Sequence, residues 1–153
     1  MVRLGIVSDS HRDRFWTERF LVVANRECFD AVFHLGDGEG EARWLSRRLD
    51  MLLYFVPGNC DRSDAAPWTV KVCEGHRILA CHGHQYDVKW GLDALSYRAE
   101  ECGADIALYG HTHEAAAEYV GKVLTLNPGA LMGGRYAVLT LDGKRVIPTL
   151  LEL

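Results

Sequence analysis

Val2-Arg3-Leu4-Gly5-Ile6-Val7-Ser8-Asp9-Ser10-His11 opens the chain with an apolar run that stops on a cluster of oxygen and imidazole donors. The run reads as a strand, and its near-continuous hydrophobicity suits a strand covered on both faces. The same grammar recurs downstream. Ala31 to Leu35, Met51 to Val56, Arg77 to Cys81 and Ile106 to Tyr109 read as strands, and each ends at glycine or polar residues. Between them, Arg14 to Glu27 carries Phe15, Trp16, Phe20, Val23 and Ala24 at helical spacing, and Asp93 to Cys102 carries Ala94, Leu95 and Ala99. A shorter helix is expected from Glu41 to Leu49.

After residue 113 the texture changes. Glu118 to Val120 with Val123 to Leu126, and Tyr136 to Leu141 with Arg145 to Leu151, read as two hairpins around Gly121-Lys122 and Asp142-Gly143. An alternating βα portion followed by an antiparallel C-terminal third predicts a four-layer α/β/β/α sandwich, two mixed β-sheets flanked by helices. The length of 153 residues, with no linker, repeat or low-complexity tract, predicts one domain over 1–153.

Composition narrows the class. With 48% hydrophobic and 25% charged residues the chain matches ordinary globular proteins, which excludes disorder, collagen and coiled coil. The formal charge is −4 and there is no basic tract, so no strong nucleic-acid or anionic-membrane signal is present. The first residues lead directly into a strand without a charged leader or long apolar segment, so the expectation is a cytoplasmic protein, neither secreted nor membrane-spanning. Cys28, Cys60, Cys73, Cys81 and Cys102 are odd in number and contain no C-x-x-C pair, which argues against a disulfide framework or a structural zinc cage.

Histidine stands out by placement. Of seven, five fall in short pairs, Asp9-x-His11, His82-x-His84 and His111-x-His113. Together with Gly36-Asp37-Gly38 and Gly58-Asn59-Cys60-Asp61, these clusters follow predicted strands, at the edge where open α/β sheets bind ligands. Residues i and i+2 of an extended segment point the same way, so each pair could present two ligands to one site. Imidazole, carboxylate and amide donors without thiolate suit Mn²⁺, Fe²⁺, Ni²⁺ or Zn²⁺ in an open site. His34, inside a strand, and His76, on a turn, are expected to be structural.

In this order, D-x-H, G-D, G-N-x-D, H-G-H and G-H-x-H resemble the calcineurin-like metallophosphoesterase superfamily, and the short form resembles its YfcE-like phosphodiesterase branch; Asn127-Pro128-Gly129 resembles a further turn of that branch. The resemblance implies two divalent metal ions, Mn²⁺ in the first place. One would be held by Asp9, His11, Asp37 and His113. The other would be held by Asp37, Asn59, His82 and His111, with Asp37 bridging. Two such ions roughly 3.5–4 Å apart clamp phosphate oxygens and acidify a water between them, which makes the expected activity phosphodiester hydrolysis. They would also reverse the local negative field that repels phosphate.

The pattern departs from the wider superfamily at Cys60, where many relatives resemble each other in having histidine as the acid that protonates the leaving group. His84 is the nearest substitute and metal-bound water the other candidate, and Asn59 and Asp61 complete the expected catalytic set. Cys60 has no evident partner base to make it a nucleophile. Arg12 and Arg62 could hold a phosphate oxygen. The segments Asp61 to Pro67 and Tyr86 to Trp90 are the expected walls of the cleft. The expected partner is a small phosphoester, and the exposed face of the C-terminal strands is a candidate for pairing with a second copy. Two rival readings are a non-catalytic Vps29-like scaffold and a phosphomonoesterase or nucleotide pyrophosphatase on the same metals; a complete donor set favours an enzyme.

Overall fold

The computed structural model describes all 153 residues. Ten strands and three helices run in the order β1 (Val2–Val7), α1 (Arg14–Glu27), β2 (Ala31–His34), α2 (Glu39–Ser46), β3 (Leu52–Phe55), β4 (Trp68–Cys73), β5 (His76–Cys81), α3 (Asp93–Glu101), β6 (Ile106–Leu108), β7 (Ala116–Val120), β8 (Val123–Asn127), β9 (Arg135–Asp142) and β10 (Arg145–Glu152). They form two five-stranded mixed sheets, ordered β10-β9-β1-β2-β3 and β4-β5-β6-β8-β7. Strands β1, β2 and β3 run parallel in the first sheet, as do β5, β6 and β8 in the second. Each sheet therefore gathers several strand ends along one edge.

Alternation along the strands divides the interior into three apolar layers. Leu4, Ile6 and Phe33 of the first sheet meet Ile78, Ile106 and Leu124 of the second in the central layer. The opposite side chains, Val7, Val32 and Val138, pack with Phe20, Ala24 and Leu45 of α1 and α2. Leu79 and Ala107 pack with Leu95 and Ala99 of α3 on the far side. Gly5 is required in β1 because a Cβ there would lie 2.6 Å from the Phe29 ring. Helix α1 starts where Asp13 accepts a bond from the Trp16 N–H at 3.1 Å and stops where Cys28 turns left-handed at φ 53°.

Two expectations are revised. Strand β4 shows in the sequence only as a strand-like run around Cys73, without bounds, although it pairs with β5 through the two-residue turn Glu74-Gly75, whose φ values of 52° and 78° match a type I′ hairpin. Glutamate at the first turn position hides the usual Asn-Gly or Asp-Gly signature. The C-terminal third is also not purely antiparallel. Its two hairpins join different sheets, and β8, buried along its whole length, pairs parallel with β6.

At the sheet ends away from the polar clusters, His76 joins the two sheets. Its Nδ1 lies 2.6 Å from Asp105 Oδ2 and its Nε2 lies 2.7 Å from the Gly143 carbonyl in the β9–β10 turn. Both ring nitrogens face acceptors, so both must carry protons and the imidazolium is the form that fits. Asp105 above all holds the His76 pKa above its ordinary value; burial opposes it, and the Gly143 carbonyl adds to the rise. The folded state then binds this proton more tightly than the unfolded chain. The contact contributes fully below the ordinary value of 6.5 and is lost as pH rises through the folded-state value. The melting temperature is expected to fall as pH rises above about 6.5, and His76→Gln is expected to flatten that decline. Parallel profiles for the two proteins would count against the contact.

Candidate metal centre

The five polar clusters meet at one end of the sandwich, where short backbone bonds tie neighbouring loops together. The Asp9 N–H donates to the Gly36 carbonyl and the His11 N–H to the Asp37 carbonyl, both at 2.9 Å, while the Gly110 N–H donates to the His82 carbonyl at 2.8 Å. Side chains then bridge the sheets. The His82 ring bonds the Leu35 carbonyl through Nδ1 at 2.7 Å, and the His111 N–H donates to Asp9 Oδ2 at 3.0 Å.

Three overlapping donor groups result: Asp9 with His11 and His113, Asp37 with His82 and His111, and His11 with Asp37 and the exposed Cys60. In the first, His113 Nε2 lies 3.1 Å and His11 Nε2 3.4 Å from Asp9 Oδ1. In the second, His82 Nε2 lies 3.2 Å from Asp37 Oδ2 and 3.2 Å from His111 Nδ1. Asp37 Oδ2 also lies 3.7 Å from His11 Nε2, so its carboxylate sits between the groups. The two members of His111-x-His113 thus serve different groups.

How they converge differs from the expected strand geometry. Asp9, His11, Asp37, His111 and His113 all have positive φ, between 42° and 71°. They are five of the nine non-glycine residues in that region, and each costs on the order of 1 kcal/mol. Tight left-handed turns, not extended i, i+2 spacing, aim these donors.

The donor chemistry fits a cation. Asp9 is fully buried, and its Oδ2 accepts from Ser8 Oγ at 2.6 Å and from the His111 N–H, whereas Oδ1 has no hydrogen-bond partner. Since the His82 Nδ1–H is committed to Leu35, its Nε2 lone pair faces the Asp37 carboxylate, acceptor against acceptor. Such a contact needs a metal or a proton between its members. In the metal-free chain burial pushes the His82 pKa down, but contact with Asp37 and the charge of Asp9 raise it overall. For Asp37, burial is outweighed by His82 and by the Cys60 N–H, which donates to Oδ1 at 2.8 Å, and the carboxyl is held well below the usual range. His111 titrates low, chiefly through burial and the neighbouring His82.

The other expected residues fall as follows. Asn59 is exposed on the Gly58–Asp61 turn, with its Nδ2 donating to its neighbour Cys60 Sγ at 3.6 Å. His84 is half-buried beside His82 and His111, with ring centroids 5.5 and 6.1 Å away, and its Nδ1 is buried without a partner. Asp61 is fully engaged by backbone. Its Oδ2 accepts from the Asp37 and Gly58 N–H groups, both at 2.8 Å, and its Oδ1 from Gly38 and Glu39, both at 3.1 Å. This carboxylate supplies in trans the cap that Gly38 cannot give to the start of α2. Cys60 is exposed near His11 and Asp37; desolvation and the Asp37 charge push its thiol up, away from thiolate.

Supporting residues escaped the sequence reading. Buried Glu41 accepts from Ser10 Oγ at 2.8 Å and from the Arg12 N–H at 2.6 Å, and Ser10 Oγ in turn lies 3.0 Å from His34 Nε2. Burial lowers the His34 pKa to about 4, so this ring is a neutral prop behind the Asp9 loop. Asn127 Nδ2 donates to the Gly110 carbonyl at 3.1 Å and to Thr112 Oγ1 at 2.9 Å, bracing the His111 turn. Serine and glutamate beside the motifs carry no spacing signal, whereas the Asn127-Pro128-Gly129 turn was legible.

A model of the calcineurin-like phosphoesterase superfamily domain matches residues 2–144. The probable metallophosphoesterase YsnB of Bacillus subtilis is 35% identical over 146 residues, 90% of this chain and 83% of YsnB. Phosphodiesterase YfcE of Escherichia coli K12 is 28% identical over 155 residues, 86% of this chain and 80% of YfcE. Among solved structures, a predicted phosphoesterase from Streptococcus pneumoniae TIGR4 superposes with a TM-score of 0.83 at 30% identity, covering 99% of this chain and 89% of the other. Vps29 of Cryptosporidium parvum reaches 0.85 at 18% identity, covering 99% and 91%, a likeness of fold alone.

Gly110 tests the geometry. A Cβ there would lie 2.1 Å from Ser8 Oγ and 2.8 Å from Asp9 Oδ2. Gly110→Ala is expected to lower affinity for Mn²⁺ by roughly 10–100-fold in a calorimetric titration, with the far-ultraviolet dichroism spectrum retained.

Proposed function

The chain belongs to the calcineurin-like phosphoesterase superfamily, and from that premise we propose that it hydrolyses phosphodiester bonds at a pair of divalent metal ions, with Mn²⁺ the preferred metal. As a member of that family it is a metal-dependent hydrolase of phosphoester bonds. The observation that supports the finer reading is the unpartnered Oδ1 of Asp9, buried among the imidazole nitrogens of the donor groups. Asp9, His11, Asp37 and His113 would hold one ion; Asp37, Asn59, His82 and His111 would hold the other. Bound there, the ions supply Lewis acidity toward phosphate oxygens and acidify water.

The chain's own residues do the rest. The Leu35 carbonyl fixes the His82 tautomer, Ser8 and the His111 N–H orient Asp9, and the Cys60 N–H orients Asp37. Asp61, expected as a catalytic group, is better cast as a positioning residue, because both its oxygens are taken by backbone. His84 is the candidate to face the leaving group, supported by its ring beside His82 and its unpartnered Nδ1. A charge of −4 describes the bare chain. With two ions bound the cleft becomes electropositive and suits a small anionic ester.

The diester reading leans on the name of YfcE. The scaffold alternative, which the Vps29 fold brings forward, is disfavoured because a competent donor stands at every ligand position of this chain. Five unpaired thiols support a reducing cytoplasm, and no helix is long and apolar enough to cross a membrane.

Chelation is expected to abolish hydrolysis of bis(p-nitrophenyl) phosphate, and Mn²⁺ to restore it. Full turnover by protein shown by metal analysis to be empty would end the two-ion reading, and p-nitrophenyl phosphate as the better substrate would favour a monoesterase. His84→Ala is expected to lower kcat about 100-fold with both metals retained; undiminished turnover would remove His84 from the mechanism.

A further inference from the structure

Beside the donor groups lies an open cavity of about 670 Å³ whose wall runs from His11 and Arg12 past the start of α2 to Cys60 and Arg62. That is far more room than a single phosphate needs. The wall is polar, and its single aromatic ring, His11, belongs to the donor groups, so it offers nothing for an acyl chain to pack on.

The charges on this wall are unequally occupied. Glu39 pairs with Arg43 at 2.7 Å, Glu41 is taken by Ser10 and the Arg12 N–H, and Asp61 by four backbone N–H groups. Asp37 belongs to the donor groups. The guanidiniums of Arg12 and Arg62 are exposed and have no ion pair, hydrogen bond or aromatic partner. Elsewhere Arg14, Arg19 and Arg48 lie over aromatic rings and Arg3, Arg43, Arg98 and Arg135 pair with carboxylates, while Arg47, Arg77 and Arg145, also without such partners, lie outside this wall.

Arg12 carries a further mark. Its φ is 66°, a conformation that glycine adopts without strain and arginine does not. No contact of its side chain compensates that strain within the protein. The Glu41 carboxylate holds its N–H at 2.6 Å and so fixes the turn from which the side chain leaves. Arg62 leaves a turn fixed in the same manner by its neighbour Asp61.

Building on the phosphodiesterase reading, we propose that Arg12 and Arg62 form a clamp for a second phosphate of the substrate, which makes the preferred substrates small, hydrophilic phosphodiesters whose sugar or polyol part carries a further phosphate. Guanidinium forks suit this recognition because each can offer two parallel N–H donors to one phosphate. The metal centre takes the scissile phosphate, the clamp takes the other, and hydroxyl groups between them meet the polar wall.

The test compares fructose 1,6-bisphosphate with fructose 6-phosphate, monoesters that stand in for the product side of such a diester, on Mn²⁺-loaded protein, by calorimetric titration and as competitors of bis(p-nitrophenyl) phosphate hydrolysis. The wild type is expected to bind the bisphosphate at least about ten-fold more tightly, with a preference that shrinks as salt rises. In the Arg12→Gln/Arg62→Gln variant the ratio of the two affinities is expected to collapse toward one. Equal binding of the two sugars by the wild type, or an unchanged ratio in the variant, would overturn the clamp. A wild type that binds both as expected but hydrolyses no ester would instead defeat the catalytic reading and leave the clamp standing. Arg12→Gly gives a readout independent of activity. Relief of the left-handed strain is expected to raise the melting temperature by about 2–4 °C while the affinity ratio falls. A lower melting temperature with the ratio intact would show that Arg12 serves the fold, against the proposal.

Discussion

Everything at the functional end of this molecule is arranged around a buried carboxylate with only one oxygen satisfied. Asp9 sits at the end of the central strand β1, so its Oδ2 can be held by Ser8 from its own loop and by the His111 N–H from the other sheet. An unpaired buried anion is expensive, and a fold retains one where a metal ion or a proton answers it. The imidazoles around Oδ1 present lone pairs or protons according to what occupies the space between. The α/β/β/α sandwich is the frame that brings these groups together, because its two sheets carry their parallel strand ends to the same rim.

Much of this could be read from residues in order. Apolar runs ending in glycine and donors located β1, β2, β3, β5 and β6, and the amphipathic spacing located α1 with its observed bounds. What could not be read has physical causes. Strand β4 alternates along an edge and enters its turn through Glu74, which lacks the usual left-handed preference. The parallel pairing of β8 depends on long-range burial that no local pattern encodes. At the site, residue types were legible and backbone geometry was not. The pairs D-x-H and H-x-H suggested extended segments, while the donors sit in left-handed turns. His111 and His113 consequently diverge into two groups. Asp61 looked like chemistry and proved to hold four amides, a role that only the folded loops reveal.

The likeness to a Vps29 structure shows how little the sandwich itself decides. A fold can host hydrolysis or mere recognition, and the difference lies in side chains at its rim. In this chain the rim keeps its carboxylates and imidazoles, and the residues behind them, Ser8, Ser10, His34, Glu41 and Asn127, keep those groups in line. Five of the eleven buried polar residues are these props, and a further three, Asp9, Asp37 and His82, are the donors they serve. The polar interior is thus largely assigned to one end of the molecule.

The left-handed turns also bear on how such a site is lost. Each donor at positive φ would relax if glycine or asparagine replaced it, so removing a ligand gains backbone stability as it forfeits chemistry. Random drift without demand for catalysis would therefore run downhill in folding free energy, and the donors would be among the first residues to change. In this chain all five positions carry a donor, so the site's chemistry is held at a cost written in the backbone as well as in the side chains.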